Sequence, residues 1–237
     1  MPHVNQLSIL NCDRREIVVC AGRRFGKSAV AAYSALKTLL EPDKRIWIVA
    51  PNYDLAMKVF NYLVKWFAKA LPSGAQGIHH SSNSHWIETV WGSWAKCKST
   101  DEPKGLLGEE LDLLIIDEAA QIPRNIWENY LYPALTSRKG RVIFISTPYG
   151  KNWFYEKWIA AKEAEDGAAF HFTSKDNPTA GFPPEEWERA ERGLPEIAFK
   201  QNYLALFLEG AGAVFRGIKE VIKENCLSDA KTDRRYI

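Results

Sequence analysis

The sequence predicts an α/β fold with a mostly parallel central sheet flanked by helices, and three features carry that expectation. Short runs rich in β-branched residues are apolar at consecutive positions, as strands buried on both faces are. Longer stretches of helical periodicity separate these runs. Each run also ends in a turn of small or polar residues, and in open α/β sheets ligands bind at such carboxyl ends.

The first strand is Ile17-Val18-Val19-Cys20, which gives way to Ala21-Gly22-Arg23. A helix follows over 27–40, crowded with alanines that allow close packing. Ile46-Trp47-Ile48-Val49-Ala50 is the second strand and ends at Pro51-Asn52-Tyr53. The next helix, over 54–71, places Ala56, Val59, Phe60, Leu63 and Phe67 on one face. Residues 74–103 carry Gly, Ser and Asn around Trp86-Ile87-Glu88-Thr89-Val90 and Ala95-Lys96-Cys97-Lys98, the pattern of hairpin strands extending the sheet. Leu113-Leu114-Ile115-Ile116 ends in Asp117-Glu118, and Val142-Ile143-Phe144-Ile145 ends in Ser146-Thr147-Pro148. Beyond Pro148 the apolar strands stop, and helices are expected over 152–165, 184–192 and 195–206. The expected division is a core over 1–150, a small helical lid subdomain over 151–227 and a linker over 228–237.

Composition sets the bounds. With 237 residues, 46% hydrophobic and 25% charged, the chain can bury one sizeable core, with room for a smaller attached subdomain. No apolar run approaches the roughly 18 residues of a membrane-spanning helix, so no membrane association is expected. Cys12, Cys20, Cys97 and Cys226 contain no C-x-x-C pair and read as reduced thiols. Charge is nearly balanced, 31 basic against 29 acidic side chains, which neither demands nor excludes a nucleic-acid partner. The nine tryptophans are scattered among apolar neighbours and read as core residues.

Chemistry enters at the first turn. Ala21-Gly22-Arg23-Arg24-Phe25-Gly26-Lys27-Ser28 fits G-x-x-x-x-G-K-[ST] with alanine in place of the first glycine, between a strand and a helix. Such a loop presents backbone N–H groups to phosphates, while Lys27 reaches the β- and γ-phosphates and the Ser28 hydroxyl joins Mg²⁺. Gly26 lets the backbone approach closely. Asp117 and Glu118, at the end of a buried strand, point in different directions. Asp117 is then expected to hold Mg²⁺ and Glu118 to orient and polarise the attacking water. The same two acids also suit the first turn of a helix near Ala119. Ser146 and Thr147 are placed to sense the γ-phosphate, although a plain turn has the same composition. Together these motifs predict a P-loop NTPase of the ASCE, RecA-like kind, using ATP and Mg²⁺.

Gln6 ahead of the first strand, the loop 21–28, Ile115-Ile116-Asp117-Glu118-Ala119-Ala120, Ile145-Ser146-Thr147-Pro148-Tyr149-Gly150 and Gly210-Ala211-Gly212-Ala213-Val214-Phe215 together resemble the ATPase half of phage large terminases. The resemblance covers nearly the whole chain, and Arg23 and Arg24 inside the loop are among its more specific marks. It implies a motor that hydrolyses ATP to drive double-stranded DNA into a procapsid. That motor would work in the host cytoplasm as a homo-oligomeric ring of five on the portal, with the small terminase subunit as partner; the isolated domain would be a monomer. It further implies that Gln6 reads adenine, that Ser146 and Thr147 couple hydrolysis to movement, and that an arginine stabilises the transferring phosphoryl group.

Arg23 and Arg24 are the in-chain candidates for that arginine. Relatives also carry one in a Leu-Arg-Gly segment, where this chain reads Leu106-Leu107-Gly108. Either the loop arginines suffice or Lys104, Arg124 or Arg138 takes the role. Nuclease activity is expected only in a further C-terminal domain, and His79, His80, His85 and His171 are expected to be surface or core residues. Arg138-Lys139-Gly140-Arg141, Lys219 and Lys223 are possible DNA-phosphate contacts, or a solvated charged surface. A helicase-like duplex translocase would share Gln6, the loop and the acidic pair, but would bring a second similar lobe.

Overall fold

A computed structural model describes residues 2–70, 78–81, 85–178 and 183–209. The Gly210 to Phe215 segment, Lys219, Lys223, Cys226 and the expected linker over 228–237 lie outside the described residues. In chain order the elements begin with α1 (Val4–Leu10), β1 (Glu16–Ala21), α2 (Lys27–Leu39), β2 (Arg45–Ala50) and α3 (Tyr53–Ala70). Next come β3 (Ile78–Ser81), β4 (Trp86–Thr89), β5 (Trp94–Ser99) and β6 (Leu113–Asp117). α4 (Arg124–Ile126) runs on through a wider-wound segment, Trp127–Leu131, and a tight one, Tyr132–Leu135. The rest is β7 (Arg141–Ser146), α5 (Trp153–Glu163), β8 (Gly167–Phe172), α6 (Pro184–Gly193) and α7 (Glu196–Asn202).

The described strands form one eight-stranded sheet in the order β3-β4-β5-β2-β6-β7-β1-β8. From β5 to β8 every pairing is parallel, and β3 and β4 add an antiparallel hairpin at the β5 edge. The hairpin lies within the stretch over 74–103 where the sequence predicts strands that extend the sheet.

Strand periodicity splits each apolar run between two cores. Ile17, Val19, Ile46, Ile48, Leu113, Ile115, Ile143 and Ile145 face α2 and α3. Val18, Trp47, Val49, Leu114, Ile116, Val142 and Phe144 face α4 and α5. Consecutive positions are apolar because each face has its own helical cover.

β8 departs from the sequence expectation. It lies where a helical region is expected, and it pairs in register with β1 from Glu16–Gly167 to Ala21–Phe172, so the core sheet takes in residues past 150. Its sequence, Gly167-Ala168-Ala169-Phe170-His171-Phe172, has no β-branched residue, and as an edge strand it is half-buried. The apolar signature of a central strand is therefore missing. α6 and α7 follow it, joined by a Trp187–Phe199–Tyr203 aromatic cluster.

Candidate nucleotide site

Strand order sets the layout of the site. β7 lies between β1 and β6, so Ser146 and Thr147 sit between the loop that follows β1 and the acidic pair that ends β6. A cleft of about 1630 Å³ opens there, lined by Arg23, Arg24, Lys27, Ser28, Glu118 and Thr147. Ala21, Gly22, Phe25, Asp117 and Ser146 are buried and are not among its lining residues.

Alanine at position 21 has a structural reason. Ala21 is the last residue of β1, still paired with Phe172 and outside the left-handed region, so its methyl group is tolerated. Glycine is needed further on. A Cβ on Gly22 would lie 2.6 Å from both the Ser174 hydroxyl and the Tyr203 carbonyl oxygen. Gly26 has φ of 98° and Gln6 against it. Phe25 is fully buried, stacked on Phe172 at 4.7 Å and met edge-on by His3 at 5.3 Å.

The Lys27 ammonium donates to the Ala21 carbonyl at 3.0 Å, the Gly22 carbonyl at 3.1 Å and the Thr147 hydroxyl at 2.8 Å. Burial lowers its proton affinity, against the pull of Glu118 and Asp117. Asp117 is 3% exposed; its carboxylate accepts from the Glu118 N–H at 3.1 Å and faces the Ser28 hydroxyl at 3.4 Å. Burial, then the neighbouring Glu118 carboxylate, push its pKa up to about 6, although Lys27 pulls the other way. Glu118 adopts the left-handed region at φ 51°, which turns it off the strand line into the cleft. Its carboxylate lies 3.4 Å from both the Ser146 hydroxyl and the Gln121 amide. Ser146 has one proton to give, shared between the Thr147 carbonyl at 2.7 Å and Glu118 at 3.4 Å.

Gln6 stands apart from the cleft. Its amide accepts from the His3 N–H at 3.0 Å and donates to the Gly26 carbonyl at 3.3 Å, beside a smaller cavity lined by Tyr33 and Trp66. The other cations differ in setting. Arg138 spans Asp112 and Asp43, which precede β6 and β2, at the end of the sheet opposite the cleft. Arg124 is exposed and paired with Glu128 and Glu156. Arg23 donates to the Asn202 side chain at 3.0 Å. Leu107 is 58% exposed. His171 bonds the Ala205 carbonyl at 2.9 Å, and His85 stacks on Tyr53. Sequence reading did not anticipate Lys58 and Tyr62 of α3, or Gln201, Asn202 and Tyr203, as cleft-lining residues. Nothing local marks them, because the folded chain brings them in from distant positions.

A P-loop at the end of β1, an acidic strand end at β6 and a hydroxyl pair at the end of β7 between them place the chain in the P-loop NTPase fold class. The chain belongs to the terminase large subunit family: residues 18–222 match the family described as the N-terminal part of the terminase large subunit, T4likevirus-type. It is 33% identical over 255 residues to the terminase large subunit of Thermus virus P23-45, spanning 93% of this chain and 52% of that protein. The terminase large subunit of Escherichia phage T5 is 31% identical over 222 residues, 90% of this chain and 50% of that protein. The chain thus spans about half the length of these relatives. Among solved structures, the large terminase ATPase domain of Thermus phage P74-26 superposes with a TM-score of 0.78 at 30% identity, covering 88% of this chain and 94% of that one. A large terminase from a thermophilic bacteriophage shares the fold at 17% identity, with a TM-score of 0.73 over 88% of this chain and 54% of its own.

Proposed function

We propose that this chain is the ATP-hydrolysing part of a terminase large subunit. In that role it uses ATP·Mg²⁺ to drive double-stranded viral DNA into a procapsid, and it works in the host cytoplasm as a ring on the portal with the small subunit. The observation that carries the reading is the convergence of Lys27, Ser28, Asp117, Glu118 and Thr147 at the carboxyl ends of β1, β6 and β7. The relatives named above support the family context.

Each side chain has work suited to its place. The loop N–H groups and Lys27 bind the β- and γ-phosphates, and Lys27 gives up its carbonyl and Thr147 acceptors to do so. Thr147, released by that exchange, is positioned with Ser146 to pass the change into the segment after β7. Ser28 and Asp117 present two oxygens of the kind magnesium prefers, close together at the strand end, so the residues present fit that ion. Bound there, Mg²⁺ would neutralise charge developing on the phosphate oxygens. Glu118, turned into the cleft, orients the attacking water and takes its proton. Arg24 lines the cleft and is the in-chain candidate for stabilising the transferring phosphoryl group. Gln6 sits beside the small cavity and is the candidate for contacting the base.

Packaging by the longer protein with portal and procapsid tests the whole reading, because ATPase activity alone does not separate a packaging motor from a duplex translocase. ATP-dependent protection of DNA from nuclease is the expected result. Failure to protect, with ATPase intact, would sink the motor assignment.

A further inference from the structure

The loop's carbonyl groups are held from outside, one after another. The Ser174 hydroxyl donates to the Arg23 carbonyl at 2.6 Å, and the Asn177 amide donates to the Arg24 carbonyl at 2.9 Å. His3 Nε2 meets the Phe25 carbonyl at 3.3 Å, and the Gln6 amide meets the Gly26 carbonyl at 3.3 Å. A carbonyl can only accept, so His3 carries its proton on Nε2 in this contact. Residues 23 to 26 therefore each have a side-chain donor drawn from outside the loop.

The donors form a connected structure. Ser174 and Asn177 flank a short turn closed by Asp176, whose carboxylate accepts from the Thr173 N–H at 2.6 Å and the Thr173 hydroxyl at 2.8 Å. His3 and Gln6 belong to the start of α1 and are bonded to each other. Asn5 donates to the Asp176 carbonyl at 2.6 Å and ties the two halves together. The Ser174 N–H also donates to the Tyr203 carbonyl at 2.8 Å, beyond α7.

The consequence follows from peptide geometry. A trans peptide is planar, and its C=O and N–H point in opposite directions. Fixing the carbonyls of Arg23, Phe25 and Gly26 therefore fixes the N–H groups of Arg24, Gly26 and Lys27 the other way. The Phe25 N–H is spent within the loop, on the Gly22 carbonyl at 3.3 Å, so the Asn177 bond to the Arg24 carbonyl holds that internal turn and, through it, the peptides on either side that carry the Arg24 and Gly26 N–H groups. The N–H at the start of α2 has no partner inside the helix, and an anion is its natural acceptor.

We propose that Ser174 and Asn177, with His3 and Gln6, are positioning residues for phosphate binding: a bracket that grips the carbonyl side of the loop and so sets its N–H side before ligand arrives. This rests on the nucleotide reading given above and adds the residues that preorganise it. Gln6 acquires a second task, on the loop itself.

Binding of inorganic tripolyphosphate and of ATP by the full chain, followed by calorimetry, tests the bracket. Ser174→Ala and Asn177→Leu should each weaken both ligands about threefold to tenfold, the effect of one lost neutral hydrogen bond. KM for ATP should rise to match, with kcat within about twofold, since ground state and transition state lose the contact equally. Asn177→Gln, which keeps an amide donor on a half-buried side chain, should restore affinity. Melting curves recorded in parallel show whether each variant is folded. Unchanged tripolyphosphate affinity in a folded double variant, or no recovery with Asn177→Gln, overturns the bracket and leaves the nucleotide reading standing. Wild-type chain that binds neither ligand overturns both.

Discussion

The two halves of the site are built to different tolerances. Around the loop, Phe25 is fully buried between aromatic rings, Lys27 has three acceptors within 3.1 Å, and the carbonyls have donors at 2.6 to 3.3 Å. At the acidic strand end, the side-chain hydroxyl and amide groups facing Asp117 and Glu118 stand at 3.4 Å, with one backbone N–H on Asp117 at 3.1 Å, and burial holds the Asp117 proton abnormally tightly. The difference teaches that the loop is a finished structural element, whereas the buried Asp117 carboxylate is held at a cost to folding. Removing a loop side chain should then destabilise the protein, and neutralising Asp117 should stabilise it.

The largest effect bears on chemistry. Glu118→Gln should slow single-turnover hydrolysis by about 100-fold or more while nucleotide affinity stays within about threefold. A fully active variant would move the water-orienting role elsewhere.

Phe25→Ala should cost about 3–5 kcal/mol of stability, the usual loss for a buried phenylalanine, as read from denaturant unfolding. A loss below about 1 kcal/mol would mean that the loop half is as loosely held as the acidic half.

Asp117→Asn should act in the opposite sense. The Asp117 pKa rises from 3.8 to about 6 on folding, so the folded state binds that proton more tightly than the unfolded state does. The resulting stability is present below about pH 4 and is lost as pH rises through about 6. Asparagine imitates the protonated form and should raise stability by about 1–3 kcal/mol at pH 8, with the gain fading below pH 4. Thermal melts across that range check both sign and window. A destabilised Asp117→Asn at pH 8 would break the comparison.

Arg138→Ala should have the smallest effect. It clamps Asp112 and Asp43 at the far end of the sheet, so the melting temperature should fall by at most about 3 °C and kcat should be unchanged. A large loss of kcat would return Arg138 to the set of phosphate-stabilising arginines.

Much of this could be read from the sequence because the signals are local. The strands of β1, β2, β6 and β7 announce themselves by unbroken apolar runs, since a strand covered on both faces has no polar side to show. The loop 21–28 and Asp117-Glu118 are contiguous motifs whose flanking elements follow from the same runs. β8 escaped because an edge strand of Gly, Ala, His and Phe carries neither β-branched bias nor alternation. Ser174, Asn177 and Asn202 escaped for a different reason. They act on backbone and side-chain atoms some 150 to 180 residues away, and no spacing rule encodes a bond to so distant a partner. Arg138 appeared in sequence as a spare cation, and only the fold shows that its charge is already committed.

The Lys27 ammonium, resting on two carbonyls and a hydroxyl, acts as an entry fee on the site: an incoming molecule has to offer at least as many oxygen acceptors as the lysine surrenders. A β,γ-phosphate pair exceeds that number with charged oxygens, a monophosphate's three terminal oxygens only equal it, and a nucleoside's hydroxyls carry no charge. The loop would then favour ligands with charged oxygens in excess of that number, with adenosine and AMP as weaker competitors than ATP even where their base fits.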